Sequence, residues 1–151
     1  MKIVINESSC INETEIIINC RQMDEQIIRI CAGLRIIDKK ITGFLDGQMY
    51  LLAALDILYV ETVDRKTFLY TANQVYETPL KLYEMEERLA GDDFIRVTKS
   101  SIINFEKVKS IRGEFGGRML CTLENGEVIT VSRQYANVIK QKLYIIKGDN
   151  S

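Results

Sequence analysis

Short runs of alternating hydrophobic and polar residues cover most of the chain, and this alternation is typical of half-buried β-strands. Turn-forming pairs separate the runs, namely Asp46-Gly47, Gly116-Gly117 and Asn125-Gly126. Asn-Gly is a strong signal for a two-residue hairpin. The pattern therefore predicts strands at 42–45, 48–53, 57–62, 67–72, 94–98, 108–114, 118–123 and 128–131.

Two helices interrupt or close this β-rich region. Thr78 is predicted to cap the first, with the single proline, Pro79, in its first turn and Gly91 after its end. Its apolar stripe is Leu82, Met85 and Leu89, and its acidic outer side is Glu84, Glu86 and Glu87. Ser132 is predicted to cap the closing helix, whose apolar side carries Tyr135, Val138, Ile139, Leu143 and Ile146. Two consecutive helices with a tight turn are not predicted, so a helix-turn-helix is not favoured.

Residues 1–43 form a separate pattern, which predicts a small unit ahead of a main domain at 44–148. Residues 15–20 are rich in β-branched side chains and predict a strand. Asp24 is predicted to cap a helix that runs to about residue 36, with a stripe at helical spacing formed by Ile27, Ile28, Cys31, Leu34 and Arg35. Because one strand and one helix cannot bury both apolar faces, this unit must dock on the rest of the chain or on a second copy.

Composition limits the classes of function. The chain has 151 residues, of which 46% are hydrophobic and 27% charged, as expected for one globular domain. No apolar run reaches the ~20 residues of a membrane span, and the first residues are too polar for a signal peptide, so we expect a cytoplasmic protein. The four cysteines include no CxxC pair and are expected to be reduced and half-buried.

The chain contains no histidine, which removes the most common general base and the usual Ser-His and Cys-His arrangements. The acidic pairs Asp92-Asp93 and Glu86-Glu87 are interpreted as solvated side chains. We therefore predict no enzyme activity, no metal site, no cofactor and no small-molecule substrate.

The charge is unevenly distributed although the net charge is only −1. Residues 74–93 carry six acidic and two basic side chains, a net of −4, whereas residues 95–142 carry nine basic and four acidic ones, a net of +5. A local basic face is sufficient to bind phosphates whatever the overall charge of the protein.

The clearest candidate for such a face is the polar sequence that follows the strand at 94–98. Thr98, Lys99 and Ser100 stand before the apolar pair Ile102-Ile103. We interpret this as a strand-to-helix corner, at which Ser100 or Ser101 caps a short helical turn and Lys99 projects beside free backbone N–H groups, where anions bind. The alternative is that the hydroxyl groups only cap the turn.

Two other loops carry similar residues. Arg133 and Gln134 follow Ser132 in the first turn of the closing helix. A positive charge at this end of a helix interacts unfavourably with the helix dipole, and binding of an external anion would explain the presence of Arg133 there. Arg65, Lys66 and Thr67 form a basic connection between two predicted strands. The alternative for Arg133 is an ordinary solvated arginine, and each loop taken alone is weak evidence for binding.

Together these segments strongly resemble the LytTR family of DNA-binding domains. The resemblance follows the family's order and spacing from about residue 51 to 147 and is carried by ILYVE (57–61), YT (70–71), YET (76–78), LYEMEERL (82–89), FIRVTKSSIIN (94–104), LENG (123–126) and VSR (131–133). Residues 1–43 are similar to the N-terminal extension of small regulators of this family that lack a receiver domain.

The resemblance implies an elongated α+β fold of stacked, mostly antiparallel sheets whose loops enter successive major grooves of double-stranded DNA, at paired direct repeats in a promoter. The implied DNA-contacting residues are Arg65, Lys66, Thr67, Thr98, Lys99, Ser100, Arg133 and Gln134. Arginine is suited to bidentate recognition of guanine, so we expect Arg133 at a base edge and Lys66 at a phosphate. Because the strand and helix of residues 1–43 are unpaired, we expect this unit to serve dimerisation or regulation, and we expect a homodimer on DNA. The resemblance also implies a regulatory membrane-protein partner.

A small β-rich module that binds a protein or a ligand, without nucleic acid, is the alternative. The two interpretations differ in salt dependence, because binding to DNA phosphates weakens steeply as salt is added.

Overall fold

The structure is a computed structural model that describes residues 1–37, 39–91 and 93–149. Its helices are α1 (Glu25–Ile37), α2 (Leu82–Arg88) and α3 (Arg133–Asp149). Its strands are β1 (Lys40–Leu45), β2 (Gln48–Ala53), β3 (Tyr59–Val63), β4 (Lys66–Tyr70), β5 (Val75–Thr78), β6 (Phe94–Thr98), β7 (Ser101–Asn104), β8 (Val108–Gly113), β9 (Met119–Leu123) and β10 (Val128–Val131). Three short 3₁₀ turns lie at Ala54–Asp56, Phe105–Lys107 and Phe115–Gly117.

The strands form two antiparallel sheets. The larger has the order β2-β1-β5-β4-β3-β7-β6, and the smaller has the order β10-β9-β8. Every described strand pair is antiparallel. This confirms the predicted fold class, a mainly β structure with a few helices.

Two hydrophobic clusters lie on opposite faces of the larger sheet. On one face, α2 packs Leu82, Met85 and Leu89 against the sheet. On the other face, the smaller sheet and α3 form the second cluster. Ile102 belongs to the first cluster and its neighbour Ile103 to the second, as expected for a strand that is covered on both sides. Burying one such side chain contributes roughly 1.5–3 kcal/mol.

Most strand predictions are confirmed to within a few residues. The strands predicted at 48–53 and 128–131 have the observed bounds. Gly116 and Gly117 lie in the loop between β8 and β9, and Gly126 lies in the turn between β9 and β10 at a φ of 90°. β5 was not predicted. Its four residues are too few to show a clear alternation.

The predicted start of the second helix is wrong. Thr78 is the last residue of β5, where it pairs with Thr67 and is buried. The helix begins at Leu82, and the Glu84 carboxylate accepts a hydrogen bond from the backbone N–H of Lys81 at 3.4 Å. A β-branched threonine that finds a strand partner is more stable in the sheet than at a helix cap. The predicted stripe of Leu82, Met85 and Leu89 is buried, as expected.

The predicted strand at 15–20 is absent, and Ile16 and Ile17 in it are exposed. Strand propensity alone does not form a strand, because each backbone N–H and C=O needs a neighbouring chain. The cap of α1 is confirmed, since the Asp24 carboxylate accepts from the Ile27 N–H at 3.0 Å. Ile28 is exposed, whereas Ile27 is half-buried, so the predicted stripe is only partly covered.

The cysteines are all free thiols, but they differ in burial. Cys121 is buried and Cys31 is half-buried, whereas Cys10 and Cys20 are exposed and so depart from the prediction. Burial raises the pKa of the Cys121 thiol to about 11.

Among the described residues, no helix has both the length and the apolar character that crossing a bilayer requires.

Candidate nucleic-acid interface

The first basic loop is a tight hairpin turn between β3 and β4. Val63 pairs with Lys66, so Asp64 and Arg65 form a two-residue turn, and both have positive φ values, 51° and 68°. This geometry matches the twist of the flanking strands and presents the two turn residues to solvent. Arg65 and Lys66 are exposed, whereas Thr67 is buried with its hydroxyl 3.5 Å from that of Thr62.

The second basic loop is also a hairpin, which corrects the predicted strand-to-helix corner. β6 ends at Thr98, which pairs with Ser101 in β7, and Lys99 and Ser100 form the exposed tip. Ile102 and Ile103 continue as a strand instead of a helical turn because both faces of β7 are covered by the core. The free N–H groups of a helix start, predicted to lie beside Lys99, are therefore not formed there.

Hydrogen bonds within this hairpin fix its shape. The Thr98 hydroxyl accepts from the Ser100 N–H at 3.1 Å and lies 2.5 Å from the Ser101 hydroxyl. A register shift between Arg96 and Thr98 marks a bulge, which bends the strand just before the tip. The hydroxyl groups thus order the loop, while the Lys99 side chain is left in solvent.

Arg96 supports the second hairpin, a role that the sequence pattern did not predict. Its guanidinium donates to the backbone carbonyl of Thr98 at 2.8 Å and also to the carbonyl of Lys99. The same group pairs with the Glu86 carboxylate at 2.6 Å, so Glu86 is not merely solvated as predicted. The alternation of β6, which places Arg96 and Thr98 on one face, was the available signal.

The third basic site is the start of α3. The helix begins at Arg133, directly after Ser132, as predicted. The Ser132 carbonyl accepts from the N–H groups of Tyr135 and Ala136, both at 3.0 Å. Arg133 and Gln134 are exposed in the first turn.

Two backbone hydrogen bonds bring the three sites to one edge of the molecule. The Thr62 N–H donates to the Ser100 carbonyl at 2.8 Å, which joins the first hairpin to the second. The Ser132 N–H donates to the Val97 carbonyl at 2.9 Å, which joins the second hairpin to the start of α3. The edge therefore presents four exposed cations, and none of them is ion-paired within the described residues: Arg65, Lys66, Lys99 and Arg133.

The acidic groups with shifted pKa values lie elsewhere. A hydrogen bond with Asp93 raises the pKa of Glu106 to about 7, with burial and the Asp93 charge acting in the same direction. Asp93 itself is paired with Lys142. Asp92, the other half of the acidic pair noted in the sequence, lies outside the described residues.

Comparisons of the sequence and of the fold with known proteins point to the same family of DNA-binding domains. The model of the LytTr DNA-binding domain family matches residues 47–144. The fold is similar to that of a LytTr DNA-binding domain from Bacillus cereus, with a TM-score of 0.67 and 26% identity over 70% of this chain and 97% of that chain.

Two curated relatives cover nearly the whole chain. An uncharacterized HTH-type transcriptional regulator of Staphylococcus aureus (strain NCTC 8325 / PS 47) is 29% identical over 89% of this chain and 93% of its own length. Another, from Staphylococcus aureus (strain MSSA476), is 27% identical over 88% of this chain and 91% of its own length. Although these relatives are named HTH-type regulators, no two α-helices follow one another in the described part of this chain.

Proposed function

Because this chain belongs to the LytTR family of DNA-binding domains, we propose that it regulates transcription by reading double-stranded DNA in the major groove through loops, at paired direct repeats in a promoter. The predicted loops serve this reading: the β3–β4 hairpin, the β6–β7 hairpin and the start of α3. No recognition helix of the helix-turn-helix kind is needed.

One observation carries this proposal, namely that three basic loops from separate parts of the chain share one edge. The backbone hydrogen bonds from Thr62 to Ser100 and from Ser132 to Val97 hold them there. Exposed lysine and arginine side chains that are not ion-paired are available to replace the counterions of DNA phosphates. Rigid strand ends also position the loops more accurately than free loops would.

The chemistry of each side chain suggests its role. Arg133 would donate two hydrogen bonds to the O6 and N7 atoms of guanine, and Gln134 could pair in a similar way with adenine. Lys66 would contact a phosphate, as a flexible point charge does. Arg65 has a positive φ of 68°, a costly conformation for a residue with a side chain and one that is common at functional sites.

The remaining predicted contact residues differ in accessibility. Lys99 and Ser100 occupy the exposed tip of their hairpin and would reach DNA directly. The Thr98 hydroxyl accepts a hydrogen bond from the Ser100 N–H within the loop, and Thr67 is buried. We assign these two threonines to the support of their loops more than to direct hydrogen bonds with bases.

The test is fluorescence anisotropy over a salt series, with a duplex from the upstream region of the protein's own gene and a scrambled duplex of equal length. We expect tight binding to the upstream duplex, weaker binding to the scrambled one, and a steep dependence on salt. Weak binding to both duplexes that does not change with salt would contradict the proposal and favour a protein-binding or ligand-binding module.

We further propose that residues 1–43 mediate a homodimer on DNA. Before α1, the apolar side chains of Ile3, Ile5, Ile16 and Ile17 are 64–82% exposed, and a second copy could cover them. The full-length double substitution I16E/I17E should convert a dimer to a monomer in sedimentation equilibrium and weaken binding to a two-repeat duplex. A wild-type protein that sediments as a monomer on DNA would refute the dimer.

The family context supports further proposals: a cytoplasmic location, no enzymatic activity and a regulatory membrane-protein partner. The exposed apolar segment before α1 is also available to such a partner. Affinity capture from a membrane fraction, compared between wild type and I16E/I17E, would test this interaction.

A further inference from the structure

A fourth loop reaches the basic edge beside Arg133. It spans residues 114–118 and joins β8 to β9. Met119, the first residue of β9, pairs with Gly113 on one side and with Val131 on the other. The loop therefore lies at the same end of the smaller sheet as the start of α3, which follows Val131 after a single residue.

The loop contacts the Arg133 side chain directly. Gly117 has a φ of 82°, and a Cβ atom built on it would lie 3.1 Å from Cγ, 3.4 Å from Cδ and 3.6 Å from Nε of Arg133. The aliphatic part of Arg133 thus rests on the Gly117 backbone, in space that any other residue would occupy. Such packing limits the rotamers of a long side chain and directs its guanidinium.

Phe115 stands two residues before this contact, and its side chain is 97% exposed. The loop that presents it is closed by the Glu114 N–H, which donates to the Arg118 carbonyl at 2.9 Å. Gly116, at a φ of 84°, turns the chain between Phe115 and Gly117. An exposed phenyl ring on the loop that contacts Arg133 can make an apolar contact with a thymine methyl group or a deoxyribose.

The charges of the loop favour this type of contact. Glu114 and Arg118 are both exposed and compensate each other, so the loop adds no net positive charge for phosphates. Because the Phe115 side chain is uncharged, its contribution to DNA affinity would be apolar and independent of salt.

We propose that the loop at 114–118 is a fourth DNA-contacting element, in which Phe115 makes an apolar contact next to the base read by Arg133 and Gly117 positions that arginine. This inference rests on the proposed function. It extends the interface beyond the three basic loops to the edge of the smaller sheet.

The test measures binding of full-length variants to the upstream duplex and its scrambled control over a salt series. Phe115→Ala should weaken binding to the upstream duplex about tenfold and leave the salt slope unchanged, because no charge is removed. Its control is Val128→Ala, which shortens an exposed apolar side chain at the opposite end of the smaller sheet.

Gly117→Ala has a closely matched control in Gly126→Ala. Gly126 has a φ of 90°, but a Cβ atom added to it would meet no other atom within 4 Å, and it lies in the turn at the far end of β9. Both variants should lose similar thermal stability, since both place a side chain at positive φ. Only Gly117→Ala should reduce the preference for the upstream duplex over the scrambled one.

The outcomes separate this inference from the proposed function. If Arg133→Ala loses affinity while Phe115→Ala binds like the wild type and Gly117→Ala binds like Gly126→Ala, the fourth element is refuted and the proposed function stands. If the wild type binds neither duplex, both fail. A Phe115→Ala protein that changes its sedimentation mass would place Phe115 in a contact between copies and would also overturn the inference.

Discussion

The guanidinium of Arg96 lies 2.6 Å from the carboxylate of Glu86 and thereby connects α2 to the β6–β7 hairpin. The same guanidinium donates to the backbone carbonyls of Thr98 and Lys99. The acidic helix is thus part of the support of a basic loop. An arginine is needed for this arrangement because its planar group offers several donors in fixed directions.

Replacing Arg96 by lysine should loosen the hairpin while it conserves the charge. We expect several-fold weaker binding to the upstream duplex with an unchanged salt slope, and a loss of thermal stability equivalent to roughly 1 kcal/mol. Glu86→Gln should have a smaller effect in the same direction. The matched control is Glu87→Gln, which changes an exposed neighbour on α2. Equal binding by Arg96→Lys and the wild type would show that the bonds of the Arg96 guanidinium do not position Lys99.

Arg133→Ala tests the base contact. We expect a loss of ~1–3 kcal/mol on the upstream duplex and a relaxed preference at one base position, with little change on scrambled DNA. The measurement is anisotropy against duplexes that carry single base changes. Lys140→Ala, which removes an exposed cation further along α3, is the control. A uniform loss on every duplex would instead assign Arg133 to a phosphate.

Lys66→Ala tests the phosphate contact in the first hairpin. The variant should weaken binding to the upstream and scrambled duplexes about equally, and the slope of log affinity against log salt should fall by about 0.9. Replacing Lys66 by arginine should restore the slope, because the charge returns. A loss confined to the upstream duplex would mean that Lys66 reads a base.

Local signals in the sequence predicted much of this fold. Asn125-Gly126 located the β9–β10 hairpin, and the apolar stripe of α2 identified its buried face. The wrong predictions at Thr78 and at Ser101 share one physical cause, because in both cases the partners of the residue in the folded protein decide between two local structures. Thr78 pairs with Thr67 in β4 and so belongs to a strand, not to a helix cap. Ser101 could cap a helical turn, but the strand partner of β7 and the core on both its faces make it a strand residue.

The candidate site was predictable in its residues but not in its assembly. Basic side chains at element ends are visible in the sequence, whereas the bond between Thr62 and Ser100 joins positions far apart in the chain. Arg96 was missed because its role depends on the bulge and on Glu86 in another element. The segment before α1 was misjudged because a strand needs a neighbouring chain to pair with.

A second group of charged side chains lies where β6, α3 and the turn at Phe105–Lys107 meet. Hydrogen bonding to Asp93, followed by burial and the Asp93 charge, raises the pKa of Glu106 to about 7, while Lys142 and Lys107 act in the opposite direction. The Asp93 pKa is lowered, first by the hydrogen bond from Glu106 and then by Lys142, with a contribution from Arg29 in α1. Lys142 also lies 5.3 Å from the centre of the Phe105 ring.

The raised pKa of Glu106 predicts a stability that falls as the pH rises from about 4.5 to about 7. Because the folded pKa of Glu106 is above its unfolded value, its contribution is complete below about pH 4.5 and is lost as the pH rises through about 7. Thermal unfolding should therefore show a higher Tm at about pH 6 than at about pH 8. Glu106→Gln keeps a neutral hydrogen-bond donor toward Asp93, so its Tm should depend less on pH in this range, whereas Glu87→Gln should behave like the wild type. An unchanged pH dependence in Glu106→Gln would show that the shared proton between Glu106 and Asp93 does not stabilise the fold.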